Sequence, residues 1–122
     1  MQQSQWGNLI SRNRSKYHAE KTTIDGIIFD SKKEALRYCE LRAMEHAGKI
    51  FSLERQVKFN LIPAETDKNG NKLREINYFA DFVYFDEKMQ RIVEDVKGVR
   101  KPVYNLKKRL MWHVHHIIIS EV

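Results

Sequence analysis

The stretch that decides the fold is residues 76–97, INYFADFVYFDEKMQRIVEDVK. Its first ten residues are aromatic and β-branched and predict a strand. Residues 91–97 predict another strand after a polar turn at 86–88. An apolar run at 50–62 comes earlier, and a hairpin-type turn at 68–71 reverses the chain after it. We therefore expect three strands in an antiparallel meander.

The region before the meander predicts a helix with a defined beginning and end. Ser31 followed three residues later by Glu34 forms a capping box. Gly48 supplies a stop, so we expect a helix at 32–47. The positions expected to face the core are Leu36, Cys39, Ala43 and Ala47.

The N-terminal region divides into an arm and a hairpin. Residues 1–20 are polar and basic without an apolar period, which predicts a flexible basic arm. Asp25-Gly26 favours the positive backbone angles of a type I′ turn, so 21–29 should form a short hairpin. Residues 21–122 are expected to form one domain, because a single core is favoured at this length.

A second helix and a last strand are expected after the meander. Pro102 suits the first turn of a helix. The apolar side of that helix should comprise Val103, Leu106, Leu110 and Val114. The isoleucine run at 117–119 predicts a strand buried on both faces. The order helix, three-strand meander, helix and strand predicts an α/β (α+β) fold, with a central mixed sheet flanked by helices.

Composition limits the class of function. The chain has 22 Lys and Arg against 16 Asp and Glu, a formal charge of +6, which suits a polyanion such as DNA. Cys39 is the only cysteine, so an internal disulfide is excluded and a reducing compartment is expected. The sequence has no signal-peptide pattern and no apolar run long enough to span a membrane. We therefore expect a cytoplasmic protein without a membrane partner.

Three residues of the meander predict catalytic chemistry. Alternate residues of a strand share a face, so Asp95 and Lys97 should project together, and Asp81 on the next strand can lie beside Asp95. Two carboxylates, with the backbone carbonyl of Val96, suit Mg²⁺ or Mn²⁺. A metal-bound water can attack a phosphodiester, while Lys97 orients that water or neutralises the charge that develops on the phosphoryl oxygens.

This pattern resembles the PD-(D/E)xK nuclease superfamily, whose signature is an acid on one strand, a variable spacer and acid-x-Lys on the next. Here the signature reads Ala80-Asp81, thirteen intervening residues and Asp95-Val96-Lys97. Alanine stands where the signature has proline, and aspartate at position 95 is permitted. The resemblance implies a restriction-endonuclease-like core and a DNA endonuclease.

The resemblance also implies a biological setting and one more site residue. Residues 25–35 and 93–98 are similar to small phage and prophage proteins assigned to the superfamily. Some members are small, basic Holliday-junction resolvases, which implies branched DNA as substrate, a homodimer, and action in phage replication or recombination in a bacterial host or phage-infected cell. The superfamily often has an acid on its first helix, which makes Glu34 a candidate metal ligand. Its alternative role is to cap that helix.

Several further residues have two interpretations. Polar and basic side chains near the site could contact DNA, although a charge run is commonly only a solvated face. These side chains are Gln56, Arg100, Lys101, Lys107, Lys108 and Arg109. The aromatic residues 78, 79, 82, 84 and 85 could form a base-stacking platform, but core packing is the favoured interpretation. For the whole chain, the alternative to a nuclease is a non-catalytic DNA-binding protein with the same fold.

A histidine cluster is the remaining candidate for a metal site. Its members are His113, His115 and His116. They lack a nearby cysteine or a second pair of ligands at zinc-finger spacing, so we expect them at a helix end instead.

Overall fold

The computed structural model is organised around the predicted meander, and it describes residues 11–14, 20–97 and 100–122. Its strands are β1 (Ser11–Arg14), β2 (Glu20–Ile24), β3 (Ile27–Phe29), β4 (Phe51–Ile62), β5 (Glu65–Thr66), β6 (Lys72–Leu73), β7 (Ile76–Phe85), β8 (Arg91–Asp95) and β9 (Ser120–Glu121). Its helices are α1 (Lys32–His46) and α2 (Pro102–Leu110), and a π-helical turn, Met111–His115, continues α2.

The central sheet has the strand order β4-β7-β8-β9. Strand β7 is antiparallel to β4 and β8, whereas β9 is parallel to β8. Phe82 and Tyr84 of β7 pack on the α1 side, while the intervening Val83 packs with residues of α2, so one helix covers each face. The predicted α+β class, with a central mixed sheet flanked by helices, is therefore confirmed.

The last strand lies after the isoleucine run that was predicted to form it. Ser120 pairs with Glu94 of β8, which fixes β9 at Ser120–Glu121. Ile118 is 77% exposed and only Ile119 is deeply buried. The prediction of a strand at 117–119 buried on both faces was wrong, because hydrogen bonding to β8, rather than the apolar run, sets the strand.

A small N-terminal sheet, β1-β2-β3, packs beside α1. Asp25 and Gly26 both have positive φ, 55° and 76°, so the turn between β2 and β3 has the predicted backbone. Residues 11–14 pair with β2 as strand β1, which differs from the flexible arm predicted over 1–20. The other residues of that predicted arm, 1–10 and 15–19, lie outside the described residues.

Helix α1 begins as predicted, but it buries a different face. The Ser31 side chain accepts a hydrogen bond from the Glu34 N–H at 3.1 Å, as an N-cap does. The buried residues are Glu34, Ala35, Tyr38 and Leu41, whereas Leu36 is 42% exposed. Cys39 is half-buried, and burial raises the pKa of its thiol to about 11, so it is protonated at neutral pH.

Helix α2 also turns a different side to the sheet. Tyr104 and Met111 are buried, while Val103 and Leu106 are more than half exposed, so the predicted apolar side was wrong. Met111 begins the π-helical turn, which shifts the phase of the helix before Val114. The histidine cluster lies at this helix end, as expected, and His115 Nε2 hydrogen-bonds the carbonyl of Asn60 at 2.8 Å. No helix in the described part of the chain has the length and apolar character needed to cross a membrane.

Candidate active site

A cleft of about 600 Å³ beside the end of β8 brings Asp81, Asp95 and Lys97 together. The first turn of α1 forms one wall and the first turns of α2 form the other. The N–H of Val96 donates to Asp81 Oδ2 at 2.8 Å, and Lys97 Nζ lies 2.9 Å from Asp95 Oδ2. The structure therefore places the three residues as strand alternation and register predict, while their catalytic role stays a prediction.

Asp95 is the more deeply buried of the two aspartates, with 3% of its surface exposed. It accepts a hydrogen bond from the Tyr78 hydroxyl at 2.8 Å in addition to the Lys97 contact. Burial, together with the nearby Asp95, raises the pKa of Tyr78 well above its ordinary value, so this hydroxyl remains a donor. The Lys97 ammonium also lies 4.0 Å from the ring centre of Tyr104, a cation–π contact. Lys97 is thus held on two sides.

Asp81 is the acid whose ionisation the site changes most clearly. Burial raises the pKa of Asp81 to about 8, and a hydrogen bond with Asp95 and the nearby Glu34 act in the same direction. The Val96 N–H acts in the opposite direction. Without a cation, Asp81 is therefore mostly protonated at neutral pH. A buried acid with a raised pKa in a cleft is typical of sites that bind cations or transfer protons.

Glu34 turns its carboxylate toward the same cleft. It is only 8% exposed, and burial, followed by the nearby Asp30, raises the pKa of its carboxyl group. Its Oε2 lies 3.5 Å from the Gln56 amide nitrogen. The backbone of Glu34 completes the helix cap while its side chain faces Asp81 and Asp95, so capping does not prevent a role in the cleft.

Gln56 joins the acids through an unusual backbone conformation. Its φ is +50° inside strand β4, a region that non-glycine residues adopt rarely and at some cost in energy. Its side-chain nitrogen lies 3.2 Å from Asp81 Oδ1 as well as 3.5 Å from Glu34 Oε2. The sequence predicted Gln56 as a DNA contact, but in the structure its amide bridges two carboxyl groups of the site.

The predicted DNA-binding cations separate into two groups. Lys101 and Lys107 line the cleft. Arg100 and Lys108 form ion pairs with Glu121 at 2.6 and 3.1 Å, so part of their charge is neutralised. Lys108 and Arg109 also line a second, largely apolar cavity of about 320 Å³ beside Trp112 and the isoleucine run. The structure thus places two of the five predicted cations in the cleft, while DNA contact by all five stays a prediction.

Four residues at the site had not been assigned to it from the sequence. Lys33 and Tyr104 were given no role, and Tyr78 and Phe79 were considered for base stacking but attributed to core packing. Lys33 Nζ donates to the carbonyl of Lys97 at 2.8 Å, which ties α1 to the end of β8. Tyr78 and Tyr104 hold Asp95 and Lys97. The proximity of Lys33 to the capping box was the one available signal, because the other three belong to apolar patterns that equally predict core packing.

The donor set of the cleft suits a hard cation held by few protein ligands. In the part of the chain that the structure describes, no three His, Cys, Asp or Glu side chains are grouped to hold a metal ion. Asp81 and Asp95 line the same cleft, and the Val96 N–H is hydrogen-bonded to Asp81. Mg²⁺ is commonly bound through one or two carboxylates while it retains several waters, so this pair fits Mg²⁺ or Mn²⁺ and does not fit zinc.

Asp81→Asn is expected to remove a pH dependence from the stability of the protein in EDTA. Because folding raises the pKa of Asp81, its contribution is fully present below its unfolded pKa and is lost as the pH rises through about 8. Between about pH 5 and about pH 9 the unaltered protein should lose at least about 1 kcal/mol of stability through this group, or roughly 4 °C in melting temperature. The Asp81→Asn variant should lose less stability over the same pH range, and thermal unfolding followed by circular dichroism measures this loss.

Glu87→Gln, in the exposed turn after β7, is the control. Equal pH slopes for Asp81→Asn and the unaltered protein would contradict the assignment.

Comparison with known proteins gives a family without an assigned activity. A search of curated proteins and a search of solved structures each found no match. One family model, described as "Protein of unknown function (DUF1064)", matches residues 14–119. That span includes α1, the meander, α2 and every residue of the cleft. The chain therefore belongs to the DUF1064 family.

Proposed function

We propose that this protein is a metal-dependent endonuclease that hydrolyses DNA phosphodiesters with Mg²⁺ or Mn²⁺. The observation that carries the proposal is the grouping of Asp81, Asp95 and Lys97 in a single cleft, where Asp95 is buried and ion-paired with Lys97 and Asp81 is half-buried. An acidic pair for a hard cation, with an ammonium group held beside it, is the set that phosphodiester hydrolysis requires.

The topology supports a restriction-endonuclease-like core of the PD-(D/E)xK type. Helix α1 is followed by the antiparallel strands β4, β7 and β8, then by α2 and by β9 parallel to β8. The same order is implied by the resemblance of Ala80-Asp81 and Asp95-Val96-Lys97 to the superfamily signature. The acids of the signature belong to β7 and β8, as the signature requires.

The residues that would hold the cation are Asp81 and Asp95, with the Val96 carbonyl as a further oxygen donor and with Glu34 reaching the cation through a water. A bound divalent cation supplies an activated water and neutralises charge on the phosphoryl group. Its positive charge also favours the ionised form of Asp81, whose raised pKa reflects burial among other acids. Glu34 and Gln56 border Asp81 on the side away from Val96 and can orient a water by hydrogen bonding.

The cations of the cleft have separate roles in this proposal. Lys97 is fixed by Asp95 and by the Tyr104 ring, so its ammonium can donate to a phosphoryl oxygen without reorganisation. Lys101 and Lys107 on the α2 wall neutralise neighbouring phosphates and hold the DNA in register. Arg100, Lys108 and Arg109 add to the positive field at longer range.

The biological setting belongs to the same proposal. Branched DNA, including Holliday junctions, is the proposed substrate, and phage replication or recombination in a bacterial or phage-infected cytoplasm is the proposed context. Symmetric cutting of two strands requires two active sites, so a homodimer is expected.

One observation favours a second candidate, a DNA-binding protein without turnover. Lys97 is already paired with Asp95, and Asp81 is mostly protonated without a cation. The charges of these three side chains are therefore balanced without a bound metal ion. The basic α2 wall would then bind DNA while the acids serve only the fold.

Incubation of the purified protein with labelled linear, flap and four-way-junction DNA separates the two candidates. Cleavage in Mg²⁺ or Mn²⁺ that stops in EDTA is the result expected of the nuclease. Ca²⁺, which commonly supports binding without turnover, shows whether the DNA binds at all. Binding to DNA with no cleavage under any of these metals would overturn the enzymatic proposal and support the second candidate.

A further inference from the structure

An exposed aromatic ring stands at the entrance of the cleft. Phe79 lies two residues before Asp81 in β7, and both residues line the cleft. More than half of Phe79, 51% of its surface, is exposed, whereas its neighbours Tyr78 and Ala80 are buried. The core packing that we expected for this aromatic series therefore does not account for Phe79.

The surroundings of Phe79 differ from those of an ordinary exposed apolar residue. Single apolar side chains on a surface are common and need no explanation. Phe79, however, lines a concave site that also contains Val103, itself 63% exposed, with Lys101 and Lys107. An apolar ring flanked by ammonium groups matches the two parts of a nucleotide, a flat base and a charged phosphate.

We propose that Phe79 stacks on an unpaired base next to the phosphodiester held by the acids, so that the substrate is DNA with an unpaired nucleotide at the cleavage position. This inference rests on the proposed nuclease function and narrows its substrate class. Two residues of a strand span roughly 6–7 Å. That spacing is comparable to the reach from a phosphate group to a base of the same or the adjoining nucleotide.

The preference for unpaired DNA follows from the geometry of a base pair. In an intact duplex both faces of each base are covered by the neighbouring pairs, so a phenylalanine ring finds no free face. An unpaired base at a flap, a junction or a single strand exposes its π-face at little energetic cost. Phe79 should therefore distinguish unpaired from paired DNA, while Lys101 and Lys107 bind the phosphates of both.

The test measures DNA binding with the metal chelated, so that it does not depend on turnover. Phe79→Ala should weaken binding of single-stranded or flap DNA by about 5- to 150-fold, the range for loss of one stacked base, and should change duplex binding little. Phe79→Trp should retain the affinity for unpaired DNA, and Phe79→Leu, which keeps apolar area without a π-face, should lose most of it. The matched control is Phe51→Ala, because Phe51 is a 40% exposed phenylalanine opposite Phe85 at the far end of the β4–β7 pair.

A fluorescent base analogue, 2-aminopurine, reports stacking directly. Placed at the unpaired position, it should be quenched by the unaltered protein and by Phe79→Trp but not by Phe79→Ala. Thermal unfolding of each variant verifies that the fold is retained. If Phe79→Ala binds flap and single-stranded DNA as tightly as the unaltered protein, the stacking role is overturned while the nuclease proposal stands. If the unaltered protein cuts nothing in Mg²⁺ or Mn²⁺ yet binds unpaired DNA through Phe79, the nuclease proposal fails and the stacking role survives.

Discussion

Replacing Lys97 with alanine is expected to reduce Mg²⁺-dependent DNA cleavage by about 100- to 1000-fold, the cost of removing one preorganised donor to a developing negative charge. The ammonium is fixed 2.9 Å from Asp95 Oδ2 and 4.0 Å from the centre of the Tyr104 ring. No reorganisation is then needed when charge develops on the phosphate. The measurement is the single-turnover rate on whichever DNA the unaltered protein cuts fastest.

Asp95→Asn is the companion change and should reduce the rate at least as strongly. Asparagine keeps the shape of the side chain and can still accept the Tyr78 hydrogen bond, but it carries no charge to hold a cation. DNA binding in Ca²⁺ should stay within a few-fold for Lys97→Ala, because Lys101 and Lys107 remain in the cleft. Raising the Mg²⁺ concentration should partly restore Asp95→Asn and should not restore Lys97→Ala.

The controls separate charge from position. Lys72→Ala removes an exposed lysine from the β5–β6 hairpin, away from the cleft, and should leave the rate unchanged. Lys97→Arg keeps the charge but replaces a compact ammonium with a planar group, so only partial activity is expected. Full cleavage by Lys97→Ala would show that this lysine takes no part in the reaction.

The parts of the fold that the sequence predicts well are those in which one local signal agrees with the global packing. The aromatic and β-branched run gives β7 at 76–85, and the Ser31 cap gives the start of α1. The prediction of the buried side of α2 was wrong, because apolar residues occur on two sides of that helix. Packing against the sheet selects Tyr104 and Met111 rather than Val103 and Leu106. The periodicity of the sequence alone does not determine which side of the helix is buried.

The candidate site also has some features that local sequence patterns predict and others that depend on long-range packing. The approach of Asp81, Asp95 and Lys97 follows from strand alternation and a short turn, so it was predictable. The bridging position of Gln56 depends on a positive φ inside β4, which no residue type in that segment indicates. The pairing of Arg100 and Lys108 with Glu121 depends on where β9 pairs with β8, and the isoleucine run suggested a different strand.

Glu94, the neighbour of Asp95, is expected to show the opposite behaviour, with a large effect on stability and little on chemistry. It is 1% exposed and lies on the α1 side of β8, away from the cleft. Arg37 donates to both of its carboxylate oxygens, at 2.9 and 2.6 Å, and the Tyr84 hydroxyl donates to one of them. This cluster joins α1, which carries Glu34, to β8, which carries Asp95.

Breaking this buried pair should cost about 3 kcal/mol in the free energy of unfolding, because Arg37 would retain a partly buried charge with only the exposed Glu40 as its partner. For a domain of this size that loss lowers the melting temperature by roughly 10 °C. Arg37→Met combined with Glu94→Gln should recover most of the loss, since both charges leave together and the glutamine oxygen still accepts from Tyr84. Thermal unfolding of Glu94→Ala, of Arg37→Met and of the double variant measures the coupling.

The two adjacent acids then form a matched pair of tests. At a temperature where Glu94→Gln is still folded, it should cleave DNA at close to the unaltered rate, because Glu94 does not reach the cleft. Asp95→Asn should remain folded and lose cleavage. Successive residues of β8 would thus divide between a structural ion pair on the α1 side and an acid in the cleft. The reverse result, inactive Glu94→Gln and active Asp95→Asn, would show that the chemistry belongs to the other face of the sheet.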